Sequence, residues 1–150
     1  MRIQPLTAAA FAPYGEVIQA PVGLGRADDL ASVLVGADGR PQLSVLKAES
    51  ANALPLTVTR VERHPLGTQA FIPMSGGMFF VVVAPAGAFD PNKLAAFGAD
   101  GTQGINYRPG TWHHGFLAAR TGDAFLIVER FGPGANCDFE HLADPVTVVG

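Results

Sequence analysis

Two short segments hold the side chains whose types and spacing suit chemistry. The first is Glu62-Arg63-His64-Pro65-Leu66-Gly67-Thr68-Gln69. A carboxylate, an imidazole and an amide this close in sequence are the side chains of proton transfer and of metal binding. On a strand, Glu62 and His64 share one face and Arg63 takes the other. Pro65 and Gly67 force a turn, which predicts a hairpin returning Gln69 beside Glu62 and His64. The second segment is Asn106-Tyr107-Arg108-Pro109-Gly110-Thr111-Trp112-His113-His114. Pro109-Gly110 predicts a turn, and the strand after it carries two adjacent histidines. Neighbours on a strand point to opposite faces, so only one of the two enters a given cavity. Each residue also has a plainer reading. Glu62 and Gln69 fit an exposed polar pair, His64 a hairpin cap, and Tyr107 and Trp112 wall or core aromatics. His114 fits a packing or hydrogen-bonding role, at a subunit contact for instance. Cys137 could serve as a nucleophile with a histidine base, but no Gly-x-Cys elbow or helix N-terminus accompanies it. His141 has no evident partner. Ser75-Gly76-Gly77 is a turn and not a hydrolase elbow, and no phosphate loop or dinucleotide fingerprint is present.

The elements that must position these residues read as β. Among 150 residues, 18 glycines and 12 prolines leave few stretches long enough for a helix. Two short helices are signalled. Thr7 caps Ala8-Ala9-Ala10-Phe11 ahead of Pro13 and Gly15. Asp90-Pro91 opens a second helix, predicted to run through Lys93, Leu94 and Ala96 to Gly98. Elsewhere apolar residues fall in short runs between turn formers: Glu16–Ile18, Gln42–Lys47, Leu56–Glu62, Gln69–Ile72, Met78–Ala84, Gly104–Tyr107 and Ala124–Glu129. This rhythm suits an antiparallel sandwich or barrel better than βαβ units. Thr57–Glu62 alternates as a strand with one wet face, and Phe79–Val83 is continuously apolar, as a strand buried on both faces would be. The expected architecture is one domain, residues 1–150: a mainly all-β barrel with two short accessory helices.

Composition removes several classes of function. The chain is 48% apolar and 15% charged, too apolar for disorder. Its longest apolar run, Met78 to Pro85, is far shorter than the roughly 20 residues that span a bilayer. Ten basic against 13 acidic side chains, a net charge of −3, offer no nucleic-acid footprint. The single Cys137 excludes an internal disulfide and any all-cysteine zinc site. No secretory signal opens the chain, so a cytoplasmic protein with no membrane and no nucleic-acid partner is expected. The low charged fraction also points to surface covered by a second subunit.

Glu62-x-His64, four residues, Gln69, six residues, Gly76 has the spacing of the first cupin motif, and Pro109-Gly110-x-x-His113 resembles the core of the second. Within that superfamily, the block from Glu62 to Pro73 resembles the signature of the ureidoglycolate lyase family, formerly called ureidoglycolate hydrolase. Gln103–Tyr107, Thr111–His114 and Asn136-Cys137-Asp138 resemble it too, so the likeness runs from about Leu6 to Asp138. The resemblance implies a cupin-type double-stranded β-helix barrel and a homodimer. It implies cleavage of (S)-ureidoglycolate to glyoxylate and urea, in the breakdown of allantoin from purines. It further implies a divalent metal, nickel or another first-row ion, on Glu62, His64, Gln69 and His113, with an empty site that binds the substrate directly by hydrogen bonds as the alternative. Glu62 or His113 would be the catalytic base. Arg63, Asn106, Tyr107 and Arg130 would contact the small-molecule substrate, the arginines through their two-pronged fit to a carboxylate, although strand parity points Arg63 away from its own pocket. Three departures bear on selectivity. The 21–34 stretch is short, with Arg26 its only basic residue; Arg108 stands where the family commonly has histidine; and Glu129-Arg130-Phe131 replaces an Asp-Arg-Gly-like triplet. The rival readings are another cupin enzyme acting on a different small hydroxy acid, and a non-catalytic small-molecule-binding barrel.

Overall fold

The computed structural model describes residues 1–150. Its strands are β1 (Ile3–Pro5), β2 (Gly15–Gln19), β3 (Arg40–Lys47), β4 (Leu56–Arg63), β5 (Gln69–Pro73), β6 (Phe79–Ala84), β7 (Ala95–Ala99), β8 (Gln103–Tyr107), β9 (Trp112–His113), β10 (Leu117–Ala118), β11 (Ala124–Phe131) and β12 (Asp138–Val148), with one helical turn, α1 (Ala8–Phe11). They form two sheets. One has the order β1-β7-β6-β9-β4-β12, with β10 also on β6; the other has β2-β8-β5-β11-β3. A parallel bridge from Arg2 to Val149 joins the two edges of the larger sheet, curling it on itself. The result is the all-β, barrel-like, cupin-type fold that the sequence leads one to expect. No helix is long and apolar enough to cross a membrane.

The curl explains why β6 is apolar at every position. Alternate residues of a strand face opposite sides, and here each side meets a core. Phe79, Val81 and Val83 pack between the sheets with Phe71, Ile105, Tyr107 and Phe125. Val82 and Ala84 pack inside the curl of the larger sheet with Val58, Val61, Trp112 and Val148. On β4 the two buried valines are three residues apart, a change of phase opposite the register shift between His141 and Val146 of β12. Down the space between the sheets runs a column of rings. Phe125 and Phe79 meet edge to face, Phe116 stacks on Phe71 at 4.8 Å, and Phe71 meets Tyr107 at 6.2 Å. This filled end fixes the barrel. The polar residues lie beyond Tyr107.

Three features differ from the sequence expectations. The first helix forms as a single turn, with Thr7 Oγ1 accepting from the Ala10 amide. The second does not form: Asp90 caps only a 3-10 turn over Pro91–Lys93, and Ala95–Ala99 becomes β7. Pairing with β6 on one side and β1 on the other outweighs the helical preference of an alanine-rich segment. The expected hairpin after His64 is also absent. Strands β4 and β5 belong to different sheets, so residues 64–68 carry the chain across the barrel instead of doubling it back. The segment between β2 and β3 has no regular structure and lies on the outer face of the smaller sheet, where Asn106 Nδ2 donates to the Ser32 carbonyl.

Phe125 is fully buried and touches both Phe79 and Phe116. Replacing it with alanine should cost about 3–5 kcal/mol of unfolding free energy, the usual range for a buried aromatic. Val22, fully exposed in the segment between β2 and β3, should cost no more than about 0.5 kcal/mol when changed the same way. Urea denaturation of the two variants checks the contrast.

Candidate active site

Two crossings between the sheets build the site. The first, residues 64–68, leaves the end of β4; the second, residues 108–111, leaves β8 and delivers β9 beside β4. Gly110 sits at φ +80, where a side chain would be strained, and its amide donates to the His64 carbonyl at 2.9 Å. This bond fastens the two crossings together. Strand β9 then places His113 directly opposite Glu62. Its neighbour Trp112 turns to the second core, as alternation requires.

Glu62, His64 and His113 converge so that one ligand atom from each lies within 4.8 Å of the others. His113 Nε2 is 3.6 Å and His64 Nε2 4.0 Å from Glu62 Oε1. Both distances are too long for hydrogen bonds. The tautomers follow from the opposite sides of the rings. His64 Nδ1 lies 2.7 Å from the Asn136 carbonyl, and His113 Nδ1 lies 3.0 Å from the Thr111 carbonyl. A carbonyl only accepts, so each Nδ1 carries a proton, and in the neutral imidazole each Nε2 presents a lone pair. Both Nε2 atoms are buried and have no partner. His113 is 2% exposed and lies between two rings, stacked on Tyr107 at 4.3 Å and 5.1 Å from the His64 centroid.

The carboxylate is the charged member of the group. The Glu62 carboxyl is held below the ordinary glutamate range, most by a hydrogen bond from the protonated form of His113; partial burial pulls the other way, and the fields of protonated His113 and His64 and of Arg60 add to the lowering. Glu62 is therefore ionised at neutral pH. Burial, reinforced by the Glu62 charge, pushes the Tyr107 phenol well above its usual range, so it keeps its proton. Two imidazole lone pairs beside one carboxylate, unpaired within the protein, are a donor set that fits a divalent first-row ion. The carbonyls behind the two Nδ1 atoms are the outer contacts that orient metal-binding histidines.

Gln69 stands on the inner face of β5, in register with Tyr107 of β8 and Glu129 of β11. Its Nε2 donates to Glu129 Oε2 at 2.8 Å, and its Oε1 is a third buried atom without a partner. Tyr107 is in the cluster through its stack on His113. The remaining expected substrate contacts lie elsewhere. Arg63 is on the opposite face of β4, where it donates to Asp138 and the Gly87 carbonyl and covers the Trp112 ring. Asn106 faces away from Tyr107 and ties Glu16 and Ser32 to β8. Arg130 is turned outward on β11 and donates to the carbonyls of Val35 and Pro133. It packs so closely on Gly67 that a Cβ there would come within 2.7 Å of it, bracing the first crossing from outside.

Sequence reasoning missed Asn136 and Glu129 as site residues. Asn136 holds His64 through its carbonyl and the Leu66 amide through its side-chain oxygen. Both act across long sequence separations, and only the pairings of β12 and β11 reveal them. His114 and His141 line a cleft of about 290 Å³ with Arg60 and Glu62, so Glu62 connects the buried cluster with open space. Cys137 is free and exposed. Burial first, then the charges of Glu62 and Asp138, push its thiol upward, which disfavours a nucleophilic thiolate.

A model of the ureidoglycolate lyase family matches residues 1–149. The chain belongs to that family. The ureidoglycolate lyase of Burkholderia cepacia is 46% identical over 149 residues, covering 92% of this chain and 84% of the relative. That of Burkholderia mallei (strain NCTC 10229) is 43% identical over 154 residues, covering 96% and 90%. That of Azotobacter vinelandii is 44% identical over 153 residues, covering 95% and 91%. Among solved structures, a dTDP sugar isomerase from Desulfovibrio desulfuricans G20 aligns at a TM-score of 0.47 and 20% identity, over 86% of this chain and 82% of that one. So low a likeness carries no argument. Membership of the ureidoglycolate lyase family makes the protein a lyase, and its converging Glu62, His64 and His113 are the place to look for the chemistry.

If those three residues hold an ion, His113→Ala should lose most of the nickel that the wild-type protein retains after dialysis. Elemental analysis reads the result, and unchanged metal content removes His113 from the ligand set.

Proposed function

We propose that this protein is a urea-releasing carbon–nitrogen lyase that splits (S)-ureidoglycolate into glyoxylate and urea, in the degradation of allantoin from purines. The observation that carries the reading is the anionic Glu62 facing two imidazole lone pairs in a member of the ureidoglycolate lyase family. The substrate bears a carboxylate, a hydroxyl and a ureido nitrogen on one carbon. Cleavage removes the hydroxyl proton, turns the C–O bond into a carbonyl, and expels the nitrogen with the C–N electron pair; that nitrogen then takes a proton to give urea. No oxidant or water is consumed.

Glu62 is the proposed base. Its carboxylate is ionised and lines the cleft, so it can meet a hydroxyl arriving from that side. His113 is the alternative base through its unprotonated Nε2. Tyr107 keeps its proton and is the proposed donor to the bound substrate. Glu62, His64, Gln69 and His113 are the proposed ligands of a divalent ion, with nickel fitting the imidazoles. When bound, such an ion supplies the positive charge that holds the substrate carboxylate and lowers the hydroxyl pKa. The proposed assembly is a homodimer, supported by large apolar side chains left exposed on β3, Leu43 and Val45.

Purified protein given racemic ureidoglycolate should release glyoxylate and urea in equal amounts and take up no oxygen. Glu62→Gln keeps the side-chain volume but removes the charge and the proton acceptor. Turnover should fall by roughly 10²–10⁴-fold, the usual worth of a positioned base, with little change in melting temperature. Normal glyoxylate release by Glu62→Gln, or a lowered melting temperature with normal turnover, would return Glu62 to a structural role. Sedimentation at micromolar concentration should give twice the 15.6 kDa chain mass; a monomer throughout that range contradicts the dimer.

A further inference from the structure

Gln69 is the odd member of the set, because an amide offers either an oxygen or an NH2 group to whatever it faces. Its Nε2 is taken by Glu129 Oε2 at 2.8 Å, while its Oε1 is buried with no donor. An unpaired buried oxygen is unfavourable, so the orientation needs a cause. The opposite orientation would turn the NH2 group away from Glu129, on a strand whose other neighbour sets Tyr107 opposite Gln69, with Tyr107 stacked on His113. That orientation is prevented by Glu129, whose carboxylate only accepts and would then face the amide oxygen. Glu129 is placed for this by register: it lies opposite Gln69 on β11, on the inner face, while Arg130 beside it turns outward.

We propose that Glu129 is a positioning residue that locks the Gln69 amide with its oxygen toward the Glu62–His64–His113 cluster, making Gln69 a neutral oxygen donor to a divalent ion. The inference rests on reading the cluster as an ion site, and it is independent of which substrate is cleaved. Glu129 contributes its charge from behind the ligands, leaving Glu62 as the anionic donor in the set.

The test is calorimetric titration of nickel into the metal-stripped, full-length protein. Glu129→Gln leaves the amide of Gln69 free to turn over. Nickel affinity should fall by about 10–100-fold, the usual consequence of losing an outer hydrogen-bond partner, while the melting temperature of the stripped protein stays at its wild-type value. The double variant Gln69→Glu/Glu129→Gln exchanges the two side chains: the amide now donates from β11 to a carboxylate on β5, whose other oxygen faces the cluster. Its affinity should return to the wild-type level or exceed it. Wild-type affinity in Glu129→Gln, a double variant as weak as the single one, or a wild-type protein that binds no nickel would each overturn the proposal. A protein that binds nickel as described but releases no urea from ureidoglycolate would defeat the lyase reading and leave the role of Glu129 intact.

Discussion

Everything at the polar end of this barrel depends on the hydrogen bond from the Gly110 amide to the His64 carbonyl. The chain passes between the sheets twice, at residues 64–68 and 108–111, and that bond fastens one passage to the other. Together with the pairing of β9 to β4 and β6, it sets the depth at which His113 meets Glu62. The first passage is further clamped by Asn136 from β12's leading loop and by Thr68, whose amide and hydroxyl both engage Leu34. A short loop needing a positive φ, fixed at both ends, places three side chains with little freedom left to lose.

The electrostatic character of the site follows from that placement. Backbone carbonyls hold both histidines by Nδ1, which leaves both Nε2 lone pairs directed at Glu62. Glu62 stays charged despite its partial burial. Buried polar atoms are nearly always paired, yet His64 Nε2, His113 Nε2 and Gln69 Oε1 are all without partners. Acceptors unpaired within the protein suit a positively charged guest, and the filled aromatic column packs beneath them. The cost of leaving these atoms unpaired is borne by the packed end of the barrel.

Much of this was legible in the sequence because it rests on local rules. Strand parity separated Glu62 and His64 from Arg63, and His113 from His114. Turn chemistry at Pro109-Gly110 marks the turn that leads into the strand of His113. Family resemblance supplied the barrel. The failures have a common cause. Pro65 and Gly67 announce a reversal but cannot say whether the chain returns to its own sheet or crosses to the other, so the hairpin was misread. Ala95–Ala99 is helical by propensity and a strand by neighbourhood. Arg130 is suited to a carboxylate, yet its outward position on β11 commits it to loop carbonyls. Asn136 and Glu129 act on residues far away in sequence, and no local pattern marks them.

The central claim is that this geometry exists to hold a divalent ion through two imidazole nitrogens and a carboxylate. A crystal structure of the nickel-loaded protein, with anomalous data collected at the nickel absorption edge, tests it most directly. One strong anomalous peak should lie among Glu62, His64 and His113, about 2 Å from both Nε2 atoms, a distance typical of first-row metals on histidine. A peak on the opposite ring nitrogens or at a different place on the molecule, or a nickel-soaked site filled only by water, would contradict it.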